Sequence, residues 1–371
     1  TYTVDTKGYE GRVEVNLETK DKMGNFSSDK FIYYSDFTAP DNLKATIDKK
    51  GIAKSGKIFF TEKPTVTITA NDDGIGLDKY LLSGSRSEEV KKETAVFTLD
   101  SGNYSVQVLD KLGNHTDVTK LSDLLDLEAN EFVVDGKAPK ISVTRPDSPK
   151  DNWYSEDIDF SISLSDDIGI DRAKVTINGT EVTSYSTKET DERNVSLVAN
   201  TGKVPKSSNG LYEIKVSVTD NAGNKESWSD SVYIDRDAPT VDKFVFNGSG
   251  SMEGVSINGS KKYGFFFDGP ASCDIYVSDG KVSSGIKKLT VTLENSTGGS
   301  SQQEVRVEGG TARVNIPNNF KGFISAHAED MVGHVGDTER PDGVVTEDSN
   351  WHHNSVELNI NIPDTKYKLI N

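Results

Sequence analysis

Four prolines divide this chain at a nearly constant interval. Pro40, Pro139, Pro239 and Pro341, carried by Ala39-Pro40, Ala138-Pro139, Ala238-Pro239 and Arg340-Pro341, are 99, 100 and 102 residues apart. A fixed period of that size marks tandem domains rather than one large fold. The first three prolines each follow a short apolar run that reads as a strand ending in Asp, at 31–36, 132–135 and 232–235. Each segment must then build its own small core, for which 34% hydrophobic residues is lean but sufficient.

A second marker precedes each proline. Asp21-Lys22-Met23-Gly24-Asn25, Asp110-Lys111-Leu112-Gly113-Asn114, Asp220-Asn221-Ala222-Gly223-Asn224 and Asp330-Met331-Val332-Gly333-His334 share the pattern D-x-x-G-N/H. Upstream of it the residues alternate apolar and polar, as in Tyr212-Glu213-Ile214-Lys215-Val216-Ser217-Val218. That is a half-buried strand running into a tight turn, with Gly supplying positive φ. A third marker lies 30 to 40 residues into each unit. It reads Asn71-Asp72-Asp73-Gly74-Ile75-Gly76-Leu77-Asp78, then Ser165-Asp166-Asp167-Ile168-Gly169-Ile170-Asp171, and more loosely Ser278-Asp279 through Gly285-Ile286-Lys287. No apolar stripe of helical period persists for three turns, and only 120–130 offers one short helix. The class is all-β, and the strand density fits two-sheet sandwiches better than barrels.

Both ends cut through repeats. Residues 1–36 match only the last third of a unit, and 350–360 parallel 152–162, Trp351 matching Trp153. The expected organisation is therefore the end of one unit at 1–36, complete units at 37–136, 137–236 and 237–348, and the start of another at 349–371.

The ordered set of D-x-x-A-P starts, S-D-D-x-G-I-D turns and T-D-N-A-G-N turns resembles the bacterial immunoglobulin-like domains found in tandem in large cell-surface and secreted proteins. The unit at 237–348 departs from the pattern, with Arg340 for Ala, His334 for Asn and a stretched 279–285 loop. The resemblance implies a beads-on-a-string array of immunoglobulin-like sandwiches, extracellular display at a cell surface or wall, and a spacer or adhesive role. It implies no particular ligand.

Strand direction adds a site. The loop after the second strand and the turn after the sixth return to the pole where the linker enters. This gathers Asp135, Asp166, Asp167, Asp171 and Asp220 at one junction, and Asp235 or Asp237 with Asp279 and Asp330 at the next. Asp110, Asp220 and Asp330 share the parity of the apolar residues before them, so each ends an inward-facing row. Clustered carboxylates repel unless a cation or backbone donors compensate. Two readings follow: the acids hold Ca²⁺, a hard cation that takes oxygen ligands, or they cap backbone N–H groups without metal. The EF-hand spacing is absent, since no later bidentate Glu follows Asp72-Asp73 or Asp166-Asp167.

Composition closes off most other chemistry. One cysteine, Cys273, allows no intrachain disulfide and reads as a small core residue; the five histidines do not recur with the acids, and the His352-His353 pair reads as an exposed strand start. Trp153 and Trp351 recur at one repeat position, which argues for packing. A formal charge of −17 disfavours nucleic acid. No apolar run approaches the roughly 20 residues of a spanning helix, so no membrane insertion is expected. The expectation is a non-enzymatic, monomeric stalk segment without cofactors other than calcium. The rival expectations are an adhesin with a protein or glycan ligand, its site in the divergent unit, and an accessory module of a carbohydrate-active enzyme.

Overall fold

A computed structural model describes residues 3, 5, 7–182, 192–204, 208–248, 252–257, 260–267, 269–337 and 343–345. Arg340, Pro341 and the expected fifth unit at 349–371, with Trp351 and the His352-His353 pair, lie outside them. Nearly all the regular structure of the described residues is strand. Its one α-helix, Leu121–Leu124, is a single turn, shorter than 120–130 because Asp126 at φ 53 leads the chain out of helical geometry.

The 137–236 unit shows the plan most simply. Lys140–Thr144, Asp159–Ser165 and Asn194–Asn200 form a three-stranded antiparallel sheet. Against it packs a five-stranded sheet in the order Trp153–Tyr154, Lys225–Ile234, Gly210–Asp220, Ile170–Ile177, Thr180–Glu181. Only the short first strand of that sheet runs parallel to its neighbour, Trp153 opposite Tyr233. The alternating sequences point every second side chain between the sheets, where Phe160, Ile162, Leu164, Val175, Leu197, Ile214, Val216 and Val218 make one core. The other two complete units repeat this: three strands, Asp41–Ile47, Thr65–Asn71 and Thr94–Thr98, or Thr240–Asn247, Ala271–Ser278 and Thr311–Ile316, against a larger second sheet, each pair of sheets with its own core. Strands Gly11–Lys20 and Phe26–Ser35 form a separate hairpin through the first D-x-x-G-N turn.

The central strand of each second sheet positions the acids. Gly102–Asp110, Gly210–Asp220 and Lys321–Asp330 alternate buried and solvent-facing residues along their length and end on a buried Asp.

Candidate functional site

Asp110, Asp220 and Asp330 are each at most 1% exposed, although they sit where their strands leave the sheet. The turn explains how that burial is tolerated. Asp220 Oδ1 accepts from the backbone N–H of Gly223 at 2.7 Å and of Asn224 at 2.8 Å, while Asn224 Nδ2 donates to Asp220 Oδ2 at 2.8 Å. Gly223 takes φ 100, which a side chain would strain. Asn224 Nδ2 also donates to the linker carbonyls of Asp135, 2.8 Å, and Lys137, 3.1 Å. The D-x-x-G-N pattern is thus a self-capped turn whose Asn fastens the incoming linker. Asn114 repeats the arrangement on Asp110 and the Asp36 carbonyl. In the divergent unit His334 Nδ1 takes the place of the amide, 2.9 Å from Asp330 Oδ2.

The loop acids are capped on one oxygen. Asp72 Oδ1 accepts from Gly74 and Gly76, Asp166 Oδ1 from Ile168 and Gly169, and Asp279 Oδ2 from Gly285. The linker acids reach the same pole. Asp36 Oδ2 accepts from Ile75 N–H at 2.6 Å, Asp235 Oδ2 from Ser284 N–H at 2.7 Å, and Asp135 Oδ1 from Lys137 N–H at 3.1 Å. Three triads result, Asp36-Asp72-Asp110, Asp135-Asp166-Asp220 and Asp235-Asp279-Asp330, each with one oxygen per residue within 4.8 Å of the others. Linker, loop and turn each supply one carboxylate.

In every triad one carboxylate oxygen is buried without a partner: Asp72 Oδ2, Asp135 Oδ2 and Asp279 Oδ1. A buried polar atom left unpaired is costly. Burial, reinforced by the negative charge of Asp166 and Asp220, raises the Asp135 carboxyl above the ordinary range. Burial, with Asp235 and Asp330 nearby, does the same to Asp279. Asp36 goes the other way, held low chiefly by the Ile75 N–H. The donor set fits a hard divalent cation. Oxygens within 4.8 Å of one another need at most a small closure to stand about 2.3 to 2.6 Å from one Ca²⁺, with carbonyls or water completing its shell.

Some expected members fall elsewhere. Asp167 lies outside its triad: its exposed carboxylate pairs with Lys137 at 2.7 Å, so the second of two adjacent acids faces solvent while the first turns inward. Asp171 pairs with Lys54 of the preceding unit. At the third junction Asp235 joins the triad and Asp237 does not, although Asn209 Nδ2 donates to both, at 3.0 Å to Asp235 Oδ1 and 2.9 Å to Asp237 Oδ2. The first triad was missed as a site, although Asp72 and Asp110 occupy the same repeat markers as Asp166 and Asp220 and Asp36 precedes Ala39-Pro40. Cys273 is fully buried and its thiol pushed up to about 12, which suits a core residue. Trp153 stacks on Tyr233, centroids 4.8 Å apart.

Two facing sheets with a parallel edge strand, strung in series, define tandem immunoglobulin-like sandwiches. Residues 155–236 match a family described as a bacterial Ig-like domain. A search of curated proteins found no match. Among solved structures, the chain is similar to a tetra-tandem repeat from the extending region of a large adhesion protein, at 17% identity over 90% of this chain and 81% of that one, TM-score 0.32. A structure from a 1.5-MDa bacterial ice-binding adhesin is 16% identical over 84% of this chain and all of that one, TM-score 0.33. The titin I-band fragment I67-I69 is 14% identical over the same shares, TM-score 0.41.

Proposed function

We propose that this segment is a non-enzymatic extracellular spacer of a bacterial surface or secreted protein, and that each junction triad takes one calcium ion. The observation that carries the reading is the threefold recurrence of a linker-loop-turn carboxylate triad with one orphaned buried oxygen. Bound there, the cation would neutralise the repulsion among three acids and tie the linker to the unit that follows it. Asp36, Asp135 and Asp235 would hold it from the linker side, the other six from the loops and turns. The capping hydrogen bonds preorganise those six, so little ordering is left for binding to pay for.

Calorimetric titration of the chelator-stripped chain with Ca²⁺ should give three sites, accompanied by a higher unfolding midpoint and a narrower distribution of dimensions in small-angle scattering. Asp220→Ala should remove one site. Identical midpoints and identical maximum dimensions with calcium and with chelator would retire the ion and leave a metal-free spacer.

A further inference from the structure

We infer that the 37–136 and 137–236 units are locked together by a lateral clamp that works without any ion at the junction. Strand Lys57–Phe60, inside the edge strand Ile52–Lys54, runs parallel to Glu131–Val134, with Phe59 opposite Val133. Ile58, Phe60 and Phe132 point into the core of the 37–136 unit. By strand parity Phe59 and Val133 therefore point out of it, where an isolated unit would leave them in water. Instead they are 5% and 8% exposed, because Ala222 and Ile168 of the next unit pack on them, Ala222 itself being only 4% exposed. Lys54 closes the contact from the side, its Nζ 2.7 Å from Asp171 and 2.6 Å from Asn221 Oδ1. Ile52 Cδ1 lies so close to Gly223 that an added Cβ would stand 3.1 Å from it.

The clamp is not a consequence of the repeat. Val332, which holds the position of Ala222 at the next junction between complete units, is only half-buried. At the far end of the 137–236 unit, the positions of Phe59 and Val133 carry the stacked pair Trp153 and Tyr233, both only half-buried. Units joined by a linker alone move relative to one another by default. A desolvated apolar contact flanked by an ion pair couples their stabilities instead.

The test follows hydrogen exchange of strands Gly102–Asp110 and Gly210–Asp220 in the full chain under increasing urea, in chelator throughout. Phe59→Ser should raise the unfolding constant of the 137–236 unit, and Ala222→Asp that of the 37–136 unit, each by about tenfold. In the double variant the two effects should be less than additive, since either substitution already empties the contact. Substitutions whose effects stay within their own unit would overturn the clamp. The calcium reading can fail without touching this result, because no step of the experiment contains the ion.

Discussion

Asp135 and Asp220 share a triad and are held in opposite ways. Asp220 has donors on both oxygens, all from its own turn. Asp135 has a single 3.1 Å donor and an orphaned, buried Oδ2. Removing the Asp220 carboxylate therefore uncaps a turn, whereas neutralising Asp135 relieves a repulsion. Without metal, Asp135→Asn should stabilise the 137–236 unit by about 1 to 3 kcal/mol, the scale of one unsatisfied buried group. With saturating calcium the same substitution should lose the ion-dependent part of the stability. Urea denaturation in the two buffers checks the reversal of sign; equal shifts in both would count against an ion at this triad. The pH dependence points the same way. Because the folded Asp135 carboxyl titrates above its unfolded value, its contribution is fully present below the unfolded pKa of about 3.9 and is lost as pH rises through the folded value. In chelator, wild-type stability should fall across that window, and the Asn variant should not show this component.

At the scale of the element, the strand Gly210–Asp220 carries both the core and the site. Its inward row, Tyr212, Ile214, Val216 and Val218, is at most 4% exposed and leads directly to Asp220. Rigid packing of that row fixes where the carboxylate stands. Val216→Ala should cost about 2 to 3 kcal/mol, since it deletes packed methyls and leaves a cavity. Ser217→Ala, one position along on the solvent face, should stay within about 0.5 kcal/mol. Unfolding of the 137–236 unit followed by exchange of its own strands measures both, and similar costs for the two would contradict the two-faced strand.

For the whole molecule, charge sets the expectation. A net −17 resists self-association at low salt, because every close approach of two copies brings like charges together. Sedimentation at tens of micromolar should show a monomer with calcium and with chelator alike. A calcium-dependent dimer would show that carboxylates of two copies share ions and that the triads do not close within one chain.

The sequence by itself determined the class of fold and the repeat, because strand alternation, turn glycines and the spacing of the prolines are local signals that no distant contact needs to complete. It also indicated that linker, loop and turn acids share a pole, since strand direction follows from strand count, but the triad of Asp36, Asp72 and Asp110 went unread. The choice between adjacent acids was another matter. Asp166 turns inward to the Gly169 N–H and Asp167 outward to Lys137, and Asp235 rather than Asp237 enters the triad, where the Ser284 N–H meets it. The clamp on Phe59 and Val133 was equally hidden. A strand buried on both faces, where alternation reads one, records the neighbouring unit, and only the tertiary structure says which neighbour covers it.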